Sequence, residues 1–160
     1  ITQCNNVKKV IRALEYYKET GKKLSEHNEE QRQKESPYNF AYFVLYHDRE
    51  ELYDRINRRV DLMMEDGLLF EVESLIKEGY TKNLVSMQGL GYKEFFDYFD
   101  GRMTLEDTVD KIKKDTRHFA KRQLTWFRRE PSVTRVDFSR IRREDALSYM
   151  LEQLKEKEII

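Results

Sequence analysis

The sequence predicts a mainly helical chain that contributes two or so β-strands to an α/β protein larger than itself. Three observations lead there. Apolar residues return at helical spacing through most of the 160 residues. Strand composition is confined to residues 40–46 and 133–138, about ninety residues apart. The first of these runs, Phe-Ala-Tyr-Phe-Val-Leu-Tyr, is apolar at nearly every position, which suits a strand covered on both faces. Such a strand needs neighbours for its backbone donors and acceptors, and two strands seldom make a stable sheet alone. The chain also starts at Ile1, without Met. It reads as the C-terminal portion of a bigger α/β protein.

Each element has a local reason. Val7, Val10, Ile11, Leu14 and Tyr17 predict a helix over Val7–Thr20, capped by Asn5 or Asn6 and followed by Gly21. Lys8, Lys9 and Arg12 lie on its polar side. Residues 21–38 are polar and irregular and close on Pro37, which predicts a connection or hinge. After the first strand, Asp48 and Glu51 make a capping-box-like start to a helix reaching about Asp66. Leu52, Ile56, Val60 and Met63 are its expected buried stripe. Gly67 interrupts it, and a further amphipathic piece, Leu68–Lys77, ends at Gly79. Residues 86–91 form a glycine-containing turn before a helix that opens at Tyr92 and stops near Gly101. Thr104 and Asp107 open the longest helix, about residues 105–130, with Pro131 just past its end. Its stripe is Leu105, Val109, Ile112, Thr116, Phe119, Ala120, Gln123 and Phe127. A final helix over about 143–157 is expected to bury Leu147, Met150, Leu151 and Leu154. There is no internal repeat and no low-complexity tract.

Composition narrows the function classes. With 39% hydrophobic and 38% charged residues, the chain is globular but polar, about one domain in length. No apolar run approaches the roughly eighteen residues of a membrane helix, and Ile1-Thr2-Gln3-Cys4 carries no secretory pattern. One cysteine, Cys4, excludes an internal disulfide framework and a Cys-based zinc site; a cytoplasmic location is the expectation. The formal net charge of +0 conceals a segregation. Residues 61–110 hold 12 acids and 4 bases, net −8, whereas residues 111–143 hold 12 bases and 3 acids, net +9. A concentrated positive surface attracts polyanions. A basic helix balanced by an acidic neighbour in the same fold would produce the same pattern.

Three local features could carry chemistry. The first is residues 121–129, Lys-Arg-Gln-Leu-Thr-Trp-Phe-Arg-Arg. On a helix Arg117, Lys121 and Arg128 project from nearly one side, while Arg122 and Trp126 share another. Such a surface offers forked donors to phosphates and an indole for stacking; the alternative is a solvated basic face with Trp126 in the core. The second is Asp48-Arg49 followed by Arg55, Arg58 and Arg59. Arg55 and Arg59, one turn apart, suit a diphosphate, and Arg58 should point elsewhere. Ordinary ion pairs with Glu51 and Asp54 are the alternative. The third is Gln88-Gly89-Leu90-Gly91-Tyr92-Lys93, where two glycines before a helix permit close backbone approach and Lys93 can meet a phosphate. Taken alone, the run favours a plain helix-entry turn. His27, His47 and His118 lack ligand spacing, and no side chain presents itself as a general base.

In this order, the segments resemble a known family. Asn6-Val7-Lys8-Lys9-Val10-Ile11-Arg12-Ala13-Leu14-Glu15 followed by Thr20-Gly21-Lys22 looks like the signature helix of the tRNA dimethylallyltransferases, also called tRNA isopentenyltransferases. Asp48-Arg49 through Leu52-Tyr53-x-Arg55-Ile56-x-x-Arg59-Val60-Asp61-x-Met63 is similar to its next block, and Gln88 to Glu94 to its third. Thr116-Arg117-x-x-Ala120-Lys121-Arg122-Gln123-Leu124-Thr125-Trp126-Phe127-Arg128 resembles its most specific one.

The resemblance implies an enzyme that moves a dimethylallyl group from its diphosphate to the exocyclic amine of the adenosine beside the tRNA anticodon. It implies a P-loop-NTPase-like, nucleotide-binding-type α/β core with a helical tRNA-binding insertion. Residues 1–36 would be the C-terminal part of that insertion and 37–160 the C-terminal part of the core. Magnesium would accompany the diphosphate, held mainly by parts outside this sequence, and the complete enzyme would be a monomer. Arg59, with Arg55 as second choice, would stabilise the leaving diphosphate. Lys8, Lys9, Arg12, Gln88, Gly91, Tyr92, Lys93, Arg117, Lys121, Arg122, Gln123, Thr125, Trp126 and Arg128 would contact the tRNA anticodon stem-loop. The family's glycine-rich phosphate loop and its proton-accepting aspartate do not occur here, so this chain alone is expected to be inactive. The rivals are a non-catalytic helical RNA-binding module and a piece of a P-loop kinase. Exposed sheet edges would favour strand exchange or aggregation of the isolated piece.

Overall fold

The computed structural model describes residues 6–130 and 132–160. Cys4, Asn5 and Pro131, cited above for a thiol, a cap and a helix stop, lie outside the described residues. The chain divides into two compact units, residues 1–40 and 41–160.

The smaller unit holds α1 (Val7–Thr20) and α2 (Leu24–Arg32). Asn6 caps α1, its side chain accepting from the Lys9 N–H at 3.2 Å. Gly21 closes it in the left-handed region at φ 70°, donating its N–H to Tyr17 O at 2.8 Å. The predicted hinge over 21–38 contains a helix. With Leu24 as its lone large aliphatic residue, α2 has almost no apolar periodicity to mark it in the sequence. It forms because Glu and Gln are good helix formers and because Glu26 accepts from the Lys23 backbone N–H at its start. Tyr16 meets His27 across the two helices, with ring centroids 5.1 Å apart. Val7, Ile11, Leu14 and Tyr17 are exposed, and α1 buries no residue within this unit.

The larger unit runs β1 (Tyr42–Tyr46), α3 (Arg49–Glu65), α4 (Leu68–Lys77), a 3-10 turn (Ser86–Gln88), α5 (Phe95–Phe99), α6 (Leu105–Phe127), β2 (Val133–Asp137) and α7 (Arg143–Glu156). Helix and two parallel strands are thus the architecture. β1 and β2 pair with each other, Val44 opposite Arg135. β1 is not covered on both faces: Val44 is buried but Leu45 is exposed. The core is Val60, Leu68, Val72, Met87, Phe95 and Ile112, where α3, α4, α5 and α6 meet. Asp61 of α3 and Lys113 of α6 pair at 2.5 Å along that seam.

Other boundaries shift for local reasons. Residues 92–94 remain in a turn and α5 begins at Phe95. α6 ends at Phe127, short of 130, and Phe119 and Gln123 of its expected stripe are exposed. In α7 the inward strip is Ala146, Met150 and Leu154, one position away from Leu147 and Leu151, which face outward. Among the described residues no helix is long and apolar enough to cross a membrane.

A candidate nucleic-acid interface and an arginine-lined groove

Helix α6 carries its charges in two halves. Glu106 and Asp107 sit in its first turn, where the helix dipole favours acids. Lys111 and Asp115 pair at 2.7 Å, which lowers the Asp115 pKa and raises that of Lys111. Beyond Arg117 the bases lose acidic partners. Lys121, Arg122 and Arg128 are exposed and none has an ion-pair partner among the described residues. A basic helix neutralised by an acidic neighbour therefore does not describe this half of α6. Trp126 is 55% exposed, so it is not in the core. Its neighbour Phe127 supports it edge-on at 5.3 Å and is itself anchored against Tyr42 of β1 at 6.1 Å. Arg122 lies 5.7 Å from the Phe119 ring. Gln123 and Thr125 are exposed as well, although the Thr125 hydroxyl donates to Lys121 O at 2.9 Å. Arg117 differs: it is half-buried and donates from Nη1 to Asn57 Oδ1 at 2.6 Å, tying α6 to α3.

The glycine turn is held from behind. Gly91 is at φ 95°, a conformation that a side chain disfavours, and its buried N–H donates to Glu94 Oε2 at 2.9 Å. Glu94 is 1% exposed. Its Oε1 accepts no hydrogen bond among the described residues, and the Lys93 ammonium stands 3.6 Å away. The Tyr92 hydroxyl bonds Glu71 of α4, an interaction that, with partial burial, raises the tyrosine pKa. Gln88 and Lys93 remain exposed beside these fixed groups. Glu94 was missed as a site residue; its signal was the Gly-x-x-Glu spacing of a helix entry.

On α3, Leu52, Arg55, Ile56, Arg58, Arg59 and Leu62 line an open groove of about 540 Å³. Arg58 joins Arg55 and Arg59 there, contrary to its expected direction, because the groove spreads over more of the helix surface than one turn-to-turn strip. Arg55 reaches Glu51 at only 4.0 Å, and Glu51 is also 3.2 Å from His47 Nδ1, without the angle of a hydrogen bond. Arg59 has no ion-pair partner among the described residues. Asp54, expected to compete for these arginines, forms no ion pair among the described residues. Within the smaller unit, Lys9 and Arg12 line a cavity of about 680 Å³ with Lys23, Leu24 and Tyr17, while Lys8 is exposed outside it.

The comparisons with known proteins bear on this arrangement. A family model described as IPP transferase matches residues 1–130. A tRNA dimethylallyltransferase from Lachnoclostridium phytofermentans is 55% identical over 161 residues, 98% of this chain and 50% of the relative. One from Acetivibrio thermocellus is 53% identical over 129 residues, 81% of this chain and 41% of the relative. The chain spans about half the length, or less, of these curated relatives. A tRNA isopentenylpyrophosphate transferase from Bacillus halodurans superposes with a TM-score of 0.72 at 41% identity, over 96% of this chain and 47% of that one. A eukaryotic dimethylallyltransferase, described as acting on tRNA, gives a TM-score of 0.75 at 28% identity, over 95% of this chain and 42% of that one.

Proposed function

The chain belongs to the IPP transferase family, and from that premise we propose that it is the C-terminal part of a cytoplasmic, monomeric enzyme that prenylates tRNA. The reaction would form a bond between the adenosine exocyclic nitrogen and the allylic carbon of dimethylallyl diphosphate. The carbon–oxygen bond breaks, diphosphate leaves, and the amine proton passes to a base outside this chain.

The observation that carries the reading is the second half of α6 and its C-terminal cap, where Lys121, Arg122, Trp126 and Arg128 are exposed and the three bases have no acidic partner among the described residues. Guanidiniums and ammoniums there would bind phosphates, and the indole would stack on an unpaired base. A base that must react has to leave its stack, and such surfaces make that less costly. Gln88 and Lys93 would add a second contact, on a turn that Gly91, Tyr92 and Glu94 hold in place. In the smaller unit, assigned to the helical insertion, Lys8, Lys9 and Arg12 would add a third. Arg117 would act by placing α6 rather than by touching RNA.

Arg59, with Arg55 and Arg58 beside it, would stabilise the charge that builds on the leaving diphosphate. Among the described residues no three His, Cys, Asp or Glu side chains gather to hold a metal. Magnesium would help neutralise the diphosphate, held mainly through that group and by residues outside this chain.

The test uses the chain joined to the N-terminal half of a curated relative. Arg59→Glu should lower turnover of dimethylallyl diphosphate by about 100-fold, the scale of one lost transition-state donor, while affinity for an unmodified anticodon stem-loop stays unchanged. Equal turnover in the variant would remove Arg59 from the diphosphate site. RNA binding with no prenylation by the unmutated protein would favour the simple RNA-binding module.

A further inference from the structure

The register of β1 and β2 places Val44 and Tyr46 beside Arg135 and Asp137 on one face of the sheet. The end of α6 packs on that face, with Phe127 against Tyr42. Between sheet and helix lies a cavity of about 290 Å³. Three arginines from three places line it: Arg128 after α6, Arg135 in the middle of β2 and Arg140 in the turn after β2. Val44, Leu124 and Phe127 make its apolar floor. Arg135 is exposed in mid-strand beside the end of α6, so its guanidinium stays open to solvent at the mouth of the cavity.

The charges do not cancel. Arg128 and Arg135 have no ion-pair partner among the described residues. Asp137 is the carboxylate in the lining; one oxygen is 3.4 Å from Arg140 Nε and the other accepts the Ser139 N–H at 3.0 Å. Among the described lining residues, three guanidiniums against one carboxylate leave two positive charges facing this space. The turn carrying Arg140 is fixed by backbone contacts. Phe138 donates to Tyr46 O at 2.9 Å, Ile141 to Asp137 O at 2.9 Å, and Asp48 to Ser139 Oγ at 2.8 Å. Through Arg128 the cleft continues the cationic surface of α6.

We propose that Arg135 and Arg140, with Arg128, form a phosphate-binding cleft that holds the RNA backbone beyond the end of α6. The proposal rests on the RNA-binding reading above and extends it to β2, which none of the motif blocks includes. Phosphate contacts of this kind position an RNA without reading its sequence.

Binding of an unmodified anticodon stem-loop by this chain, titrated over a range of salt concentrations, tests it. Arg135→Gln with Arg140→Gln should weaken binding about tenfold at low salt and flatten the log–log salt slope by about 1.5, the share of two phosphate contacts. Arg142→Ala with Arg143→Ala, which removes the same net charge from the start of α7, should leave the slope unchanged. If Arg135→Gln disturbs folding, Arg140→Gln alone serves, since that side chain is 84% exposed; its slope should flatten by about 0.8. Wild-type affinity and slope in the first variant, with RNA still bound, would overturn the cleft and leave the function intact. An equal loss in the α7 variant would also overturn it, as bulk charge. Absence of any RNA binding by the unmutated chain would defeat both. Saturable binding of inorganic diphosphate that needs the same two arginines, with RNA affinity unaffected, would make the cleft a product site instead.

Discussion

At the residue scale, Tyr92 and Gly91 show how a turn of ordinary composition becomes a fixed surface. The Tyr92 hydroxyl is held by Glu71, chiefly through the hydrogen bond, and its pKa rises. A raised folded-state pKa means that the stabilisation is fully present below the ordinary tyrosine range and disappears as pH climbs through the raised value. Glu71→Gln should bring the Tyr92 ionisation back toward its ordinary range. Ultraviolet titration of phenolate, compared with Tyr92→Phe to assign the signal, measures that shift. An unmoved titration would mean that Glu71 does not hold the hydroxyl. Gly91→Ala places a side chain at φ 95° with no atom near to clash, so its cost is conformational. A loss of roughly 1–2 kcal/mol in urea unfolding is expected. Part of this was legible in advance, since the Gly-Leu-Gly run identified a turn. The support from Glu71, twenty-one positions away, was not, because nothing local marks a partner on another helix.

At the element scale, α6 joins two functions on one rod. Its first half packs on α3 and α5 around Ile112, and its second half presents a basic surface without ion-pair partners among the described residues. Substitutions in the two halves should therefore separate. Ile112→Ala should cost about 2–5 kcal/mol of stability, as for other buried aliphatic truncations, read from denaturant unfolding. Trp126→Ala should leave stability nearly unchanged but weaken stem-loop binding by about 1–3 kcal/mol, the range for one aromatic–base stack. Loss of stability on Trp126→Ala with unchanged RNA affinity would return the indole to a packing role. The helical periodicity of α6 was visible in the sequence, as was its basic end. Which way Trp126 faces was not, since Leu124 and Phe127 compete for the same inward positions and packing against Tyr42 selects them.

At the scale of the whole molecule, the chain is two compact units, and the proposed reaction would draw on residues beyond it. This 160-residue chain is expected to bind an anticodon stem-loop with a steep salt dependence and to turn over no dimethylallyl diphosphate. Robust prenylation by the chain alone would place the missing base within it. By itself the sequence determined the two strands and the helices of the larger unit, α1, the charge segregation and the four motif blocks, because helical period, strand composition, caps and motif spacing are written in neighbouring residues. That the two strands pair with each other, and in parallel, came from the tertiary structure. Tertiary structure alone decided that Arg117 turns inward to Asn57, that Arg58 shares the groove of Arg55 and Arg59, that α7 buries Ala146 rather than Leu147, and that Arg128, Arg135 and Arg140 meet. Each of those depends on which surfaces remain uncovered once distant elements pack, a quantity that no local pattern encodes.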